Sequence, residues 1–243
     1  MTSTRAQDGL QIRLLGQFRL AVDGEPLAGP TTGRLQSLLA YLVLHAGAPQ
    51  SRAHLSFTFW PDGSESNARN SLRQLLHQLR QVLPDPDRYL RTDASSVQWA
   101  PDGSFSLDVD LFDRAVADAE RSAKAGDVGG RRASLERAVE LCQGPLLPSC
   151  YDDWIAPTRE RLARRCKEAV GALVGLLEEQ REYAGAIAHL RHGLEHDPLD
   201  EGAYRALMRL LALAGDRAAA LQTYRQCAEV LRRELQTEPG AET

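Results

Sequence analysis

The stretch Ser64–Leu83, SESNARNSLRQLLHQLRQVL, limits what this chain can become, because its two faces ask for different surroundings. Wound at 100° per residue, it places Ala68, Leu72, Leu75, Leu76, Leu79 and Leu83 on one side, the spacing of a helix that buries a stripe against a core. The other side gathers Ser66, Arg69, Arg73, His77 and Arg80, with Asn70 at its flank. That side carries no carboxylate. Ser64 stands where a helix wants a capping hydroxyl, and Glu65, the only acid, stands in the first turn where the helix dipole favours it. Such a face is either a solvated cationic surface without a partner or a surface made for a polyanion.

Composition does not decide between these. With 243 residues, 43% of them apolar, the chain can bury two cores of ordinary size, so two domains are expected. The net charge of -4 is unevenly spread: up to Ser104 ten Arg face nine acids, and from Phe105 onward nineteen basic residues face twenty-four acids. A nearly neutral first half can still bind a polyanion if its cations share one face, since phosphate contacts are local. Lys124 and Lys167 are the only lysines, a skew that fits GC-rich codons and a bacterial source. Cys142, Cys150, Cys166 and Cys227 show no CxxC spacing and no accompanying His pattern, and are expected to be reduced, mostly buried thiols. No signal-peptide core and no apolar run of membrane-spanning length occurs, so a cytoplasmic protein without a membrane partner is expected.

In chain order, residues 1–9 are polar and expected to fray. IRLLGQFRLAVDGEPL alternates around Gly16 and the Asp23-Gly24 turn pair, which predicts two or three short antiparallel strands. Thr31 or Thr32 could cap a helix running to about His45, stopped by Ala46-Gly47-Ala48-Pro49, and Ser51 could cap a short helix ending at the Trp60-Pro61-Asp62-Gly63 turn. The two-faced helix follows. RYLRTDASSVQWAPDGSFSLDV then reads as a terminal hairpin, with turn residues at Ala94-Ser95 and Asp102-Gly103. A small sheet, three helices and a hairpin are the layout of a winged helix, whose third helix enters the major groove while the hairpin reaches flanking backbone.

These segments, and above all W-P-D followed by A-R-N-S-L-R at this spacing, resemble the DNA-binding domain of the SARP-type bacterial activators, a relative of the response-regulator winged helices. The resemblance implies that Arg69, Asn70 and Arg73 meet base edges and nearby phosphates and that Ser51 and Arg52 meet a backbone phosphate. The chemistry agrees: Arg pairs bidentately with guanine, Asn with adenine, and a hydroxyl at a helix start suits phosphate. Ser66, His77 and Arg80 complete the proposed DNA face. The hairpin is less suited, since Asp93 to Ser96 and Pro101-Asp102-Gly103 hold acids and no cation, leaving Arg91, with Arg88, to support a wing contact.

From Asp108 onward the pattern is wholly helical. LFDRAVADAERSAKAG and RRASLERAVELC predict a helical hairpin, Gln143 to Asp153 a loop, and about Pro157 to Gln180 one long helix. REYAGAIAHLRHGLEHDPLDEGAY and GDRAAALQTYRQCAEVLRREL then align at an offset of 34, the tetratricopeptide period, pairing Tyr183 with Arg217, Ala186 with Ala220, Leu190 with Tyr224 and Gly193 with Cys227. This half resembles the bacterial transcriptional activation domain that follows the winged helix in SARP-type proteins, on GPLLPSCYDDWIAPTRERL, on the repeat and on the closing TEPGAET. The expected fold is therefore mainly α with a small antiparallel β component: a winged helix over 10–106 and an all-helical, tetratricopeptide-like domain over 107–243.

No phosphate-binding, dinucleotide-binding, zinc-hydrolase or nucleophile-elbow motif is present, so no enzyme and no cofactor are expected. Asp152-Asp153 read as helix-capping acids. His189, His192 and His196 could share a helix face, but no acid is committed to them and no metal site is expected. The expectation is a DNA-binding transcriptional activator that acts on double-stranded promoter DNA, pairs as a homodimer there, and recruits RNA polymerase or another regulator subunit. In larger relatives a nucleotide-binding switch domain follows the helical module, and a chain stopping at TEPGAET is expected to be a piece of such a protein. The competing expectation is a protein-interaction or autoinhibition scaffold whose winged helix does not bind DNA.

Overall fold

The computed structural model describes residues 9–27, 32–99 and 105–243. Residues 1–8, Thr31 as a helix cap and the Pro101-Asp102-Gly103 turn lie outside the described residues. The protein is mainly helical with small sheets, and it divides into two compact units. One takes the chain up to Leu111 together with Gly144–Arg161, and the other takes Phe112–Gln143 together with Leu162–Thr243.

In the first unit, β1 (Leu10–Arg13) pairs antiparallel with β2 (Arg19–Val22), which pairs with β3 (Glu25–Pro26). Between β2 and β3 the chain reverses at Asp23 and Gly24, both with positive φ, the Asp-Gly turn that the sequence signalled. Thr32 caps α1 (Gly33–Leu44), its hydroxyl accepting from Leu35 N at 3.4 Å. Then come β4 (Gln50–Ser51), α2 (Arg52–Phe59), α3 (Glu65–Val82), the single-turn α4 (Pro86–Tyr89), β5 (Leu90–Thr92), β6 (Ser96–Trp99) and β7 (Phe105–Leu107). The hairpin is β5 with β6, flanked by β4. The strand after it joins the other sheet, parallel to β1, giving the order β3-β2-β1-β7. Leu107 pairs with Ile12 and Phe105 with Leu10, so joining β1 lets Leu107 share the buried side of the sheet with Ile12.

The core of this unit is built by the stripes of its helices. Leu35, Leu38, Leu39 and Leu42 of α1, Leu55 and Phe59 of α2, and Ala68, Leu72, Leu75, Leu76 and Leu79 of α3, with Leu83 just beyond, are all buried. Each such leucine stabilises the fold by about 1.5–3 kcal/mol relative to exposure, which is what fixes the rotation of α3 about its own axis.

The second unit holds most of α5 (Asp108–Lys124), α6 (Val128–Leu141), the greater part of α7 (Ala156–Glu179), α8 (Tyr183–His196), α9 (Glu201–Leu213) and α10 (Arg217–Leu235). Asp127, Asp200 and Asp216 cap α6, α9 and α10 through N–H···O bonds of 2.8, 3.1 and 2.9 Å. The 34-residue offset is visible in the backbone: α8 starts at Tyr183 and α10 at Arg217. Each is preceded by a residue with left-handed φ, Arg181 at 60° and Gly215 at 89°. The side chains follow in part. Ala186, Leu190 and Cys227 are buried, whereas Tyr224, the counterpart of Leu190, is 42% exposed.

Two expectations are corrected. Cys142 and Cys166 are joined by a disulfide across a Cα–Cα distance of 6.1 Å, while Cys150 and Cys227 are free and buried. Two cysteines 24 residues apart offered no spacing signal; helix packing brings the end of α6 against α7 at a separation that a disulfide spans. Asp152 occupies the position before a 3-10 turn (Asp153–Ile155) but makes no side-chain capping bond. Its carboxylate reaches back to α1, accepting from Ser37 Oγ at 2.5 Å and Arg34 at 2.8 Å. Trp154 Nε1 donates to the same Ser37 hydroxyl at 3.2 Å, and its ring packs edge-on against Tyr41 at 5.0 Å. Nearby, Gly16 N donates to Pro145 O and Leu147 N to Leu14 O. The segment from Gly144 onward is thus stitched to the residues just after β1 and to α1.

At the head of α5, Asp108 is 5% exposed and accepts from the backbone N–H groups of Leu14 and Leu15, each at 2.8 Å, and of Val109 at 2.9 Å. Burial pushes its carboxyl above the ordinary carboxylate value despite those three donors. Asp108→Asn turns one acceptor into a donor facing an N–H, and should cost about 1–3 kcal/mol of stability in denaturant titrations. The sign of the pH effect follows from the raised folded value. Ionising Asp108 is harder in the folded than in the unfolded chain, so parent stability relative to the variant falls as pH rises from the usual Asp value, about 3.9, toward the folded value. A parent-to-variant difference that grows with pH there would contradict this assignment. At Arg181, replacing a left-handed non-glycine residue by glycine should raise stability by up to about 1 kcal/mol, strain relief outweighing the added freedom of the unfolded chain; a lower melting temperature for Arg181→Gly is the contrary result.

Candidate nucleic-acid interface

The N-terminal half of α3 carries the candidate face. Ser64 starts the helix, its hydroxyl accepting from Asn67 N at 3.4 Å. With the leucine stripe turned inward, Ser66, Arg69, Asn70, Arg73 and His77 are all exposed, and Asn67, Gln74, Gln78 and Gln81 are exposed with them. The charge pattern of the sequence does not single out those four amides. The signal was available, because positions that alternate with a buried stripe must face outward, and amides read base edges as well as guanidiniums do.

Each cation on this face has a different degree of freedom. Arg69 pairs with Glu65 one turn earlier, and both side chains are largely exposed, 61% and 76%. Arg73 makes one long bond, 3.3 Å, to Asn70 Oδ1. His77 meets the amide of Gln81 at 3.1 Å. Arg80 is built into the fold: it donates to Asp87 Oδ1 at 2.6 Å, to Thr92 Oγ1 at 3.1 Å and to Leu90 O at 3.4 Å, tying the end of α3 to α4 and β5.

Ser51 and Arg52 lie at the start of α2. Ser51 pairs with Ser96 through β4 and caps α2 by accepting from His54 N at 3.5 Å. Arg52 is drawn to the hairpin turn, its Nε donating to Asp93 O at 2.9 Å and its backbone N–H to Ser95 O at 2.9 Å. The structure therefore places Ser51, Arg52 and the β5–β6 turn together. Arg91 is exposed on β5, and Arg88 lies over the Tyr89 ring at 5.9 Å. The acid of that turn is turned inward on itself. Asp93 accepts from the N–H and hydroxyl of both Ser95 and Ser96, at 2.6–2.9 Å. Those four donors, with Ser96 Oγ foremost, hold its carboxyl far below the ordinary range, so it stays ionised.

In the helical half, His192 and His196 stack edge-on at 4.7 Å, and His192 meets Glu195 at 3.2 Å. Burial lowers the affinity of His189 and His196 for protons. Among the described residues no group of three or more His, Cys, Asp or Glu is arranged to hold a metal ion, and no helix is long and apolar enough to cross a membrane.

A basic, amide-rich helix face beside a hairpin, joined to a tetratricopeptide-like helical half, defines a transcriptional regulator of the SARP type. The family model described as bacterial transcriptional activator domain matches residues 107–243, and the chain belongs to that family, one of transcription regulators rather than enzymes. The likeness extends over the first half in regulatory protein AfsR of Streptomyces coelicolor (strain ATCC BAA-471 / A3(2) / M145), 28% identical over 232 residues, 95% of this chain and 23% of that protein. AfsR of Streptomyces griseus is 26% identical over 235 residues, 97% of this chain and 24% of that protein. The chain thus spans about a quarter of the length of these relatives. Among solved structures, Mycobacterium tuberculosis EmbR, determined in complex with a low affinity phosphopeptide, superposes with a TM-score of 0.71 at 24% identity, covering 96% of this chain and 62% of that one. That likeness is one of fold.

The contrast between Arg80 and Arg73 is measurable without any ligand. Arg80→Ala should lower stability by about 1 kcal/mol, most of it from the bonds to Leu90 O and Thr92, since the pair with the exposed Asp87 contributes little. Arg73→Ala should leave the melting temperature where it was. Equal melting of the two variants would mean that Arg80 does not hold the hairpin.

Proposed function

We propose that residues 10–106 form a winged helix that binds promoter DNA sequence-specifically, and that residues 107–243 form the module through which the regulator activates transcription. The observation that carries this reading is the face of α3: two arginines, a histidine and several amides exposed, and a half-buried third arginine, opposite a buried leucine stripe, with Glu65 as the only carboxylate of the helix.

In this reading α3 enters the major groove. Arg69, Asn70 and Arg73 lie in its N-terminal half, where a recognition helix meets base edges. Ser66, near the helix start, and His77, about three turns further on, reach toward the strands on either side. Ser51 and Arg52, at the start of α2, take a backbone phosphate, and Arg91 supports the hairpin against the flanking strand. The pair between Arg69 and Glu65 does not prevent this. An exposed i,i+4 ion pair is worth about 0.3–0.5 kcal/mol, and a bidentate contact to guanine about 1–3 kcal/mol, so DNA wins the guanidinium. Arg80 contributes positive potential and holds the hairpin in place.

The mechanism is recruitment. Phosphate contacts supply salt-dependent affinity, a few base contacts supply sequence choice, and the helical half meets a second protomer, RNA polymerase or a further regulatory domain. Two protomers on direct repeats would require half-sites one helical turn apart, about 10–10.5 bp, or a multiple of it. The ionised Asp93 in the β5–β6 turn and the net charge of -4 favour the competing reading, an interaction scaffold that does not bind DNA.

Selection of bound fragments from a genomic library at two salt concentrations separates the two readings. Enrichment of a repeated motif that weakens steeply with salt is the expected result, and no enrichment at either salt would leave the scaffold. On the selected motif, Arg69→Ala and Arg73→Ala should each cost about 1–3 kcal/mol of specific binding. If both variants bind as the parent does, the face is wrongly assigned.

A further inference from the structure

The disulfide lies at an informative place in the chain. Cys142 is the residue that ends α6, and Cys166 lies within α7. Between them the chain leaves the second unit at Gly144, contributes Gly144–Arg161 to the first, and returns at Leu162. The bond therefore closes the base of the whole excursion, holding its two ends at a Cα–Cα distance of 6.1 Å. Within the first unit the excursion is fastened by the Leu15–Leu146 bridge, by Asp152 on Ser37 and Arg34, and by Trp154 on Ser37 and Tyr41.

From this arrangement we infer that Cys142 and Cys166 are a reversible thiol-oxidation site that sets how firmly the Gly144–Ile155 strap is held on α1. Both cysteines are partly exposed, so oxidant and reductant can reach them, whereas the free Cys150 and Cys227 are buried and take no part. Oxidation needs a two-electron oxidant such as a peroxide. The two thiols lose two electrons and two protons, the Sγ–Sγ bond forms, and the peroxide leaves as two waters. Reduction needs a dithiol. One of its thiolates attacks a protein sulfur and forms a mixed disulfide, its second thiol displaces that sulfur, and both cysteines are left as thiols while the dithiol becomes a disulfide.

The coupling to the strap is entropic. When the strap lifts from α1 with its ends clamped, the freed loop has few conformations to gain, so lifting is disfavoured. With the clamp open the freed loop gains more, and lifting becomes more frequent. What responds is the environment of Trp154 and of Ser37 and Tyr41, the two buried α1 residues that it touches.

The test is hydrogen exchange followed by mass spectrometry on the 243-residue protein, oxidised with hydrogen peroxide or reduced with dithiothreitol. Alkylation before and after reduction reads the state of each cysteine. Amides of the Leu146–Trp154 peptides should exchange faster after reduction, by a factor between a few and roughly three hundred, the upper end being the full loop-closure effect for a loop of this size. The Cys142→Ser/Cys166→Ser protein should match the reduced parent under both conditions, and Cys150→Ser should still respond to dithiothreitol. Ready alkylation of Cys142 and Cys166 in peroxide-treated protein would overturn the assignment. So would strap exchange that ignores reduction, or a disulfide that dithiothreitol cannot open without denaturant. None of these readouts depends on DNA binding, so their failure and that of the promoter-binding reading are distinguishable.

Discussion

A single carboxylate joins the end of β1 to the start of α5. Asp108 belongs by sequence to the start of the helical half, yet its oxygens receive the N–H groups of Leu14 and Leu15 at the far end of β1, more than ninety residues earlier. Those N–H groups lie where β1 ends and its pairing with β2 and β7 stops, so no strand satisfies them. Buried donors without partners cost more than an average hydrogen bond gives back. Asp108 answers that cost while its third bond, to Val109 N, organises the first turn of α5. The N-terminal sheet and the entry into α5 consequently share one buried carboxyl group.

The same economy of position governs the cationic face. Six of the apolar residues that the sequence aligned along α3 and its end are buried, and that burial alone determines which residues point away. The arginines pointing away are not equivalent. Arg80 has three protein partners and stabilises the hairpin, whereas Arg69 and Arg73 have only weak local ones. A count of positive charges treats the three alike. The distribution of their hydrogen bonds separates a residue that ties the end of α3 to the hairpin from residues held only by weak local bonds.

What the sequence made legible were the features carried by local periodicity. The rotation of α3, the capping roles of Thr32, Ser51 and Ser64, the Asp23-Gly24 reversal and the 34-residue register of α8 and α10 all follow from residues a few positions apart. What stayed hidden was long-range. The parallel pairing of β7 with β1, the return of Asp152 and Trp154 to α1, and the Cys142–Cys166 bond each join residues whose approach depends on how separate elements pack. Asp152 is instructive: an acid just before a helical turn has the composition of a cap, and only the packing brings Ser37 and Arg34 within reach of it. Of the candidate face, residue types and side were readable from periodicity; the engagement of Arg52 and Arg80 was not, because their partners sit on the hairpin.

These long-range bonds bear on where a domain can be said to end. The family match begins at residue 107, one residue before Asp108, but the packing of the first unit continues through Leu111 and resumes at Gly144. A cut at the family boundary would leave Leu14 and Leu15 N–H without their acceptor, and Ser37, 1% exposed, without Asp152 or Trp154. It would also remove the indole that packs edge-on against Tyr41 of α1. The core of the first unit is completed by Gly144–Ile155, a segment inside the family match that packs on α1, the helix against which α3 also packs. The stretch before the family match and the stretch inside it therefore share one set of buried contacts in the first unit.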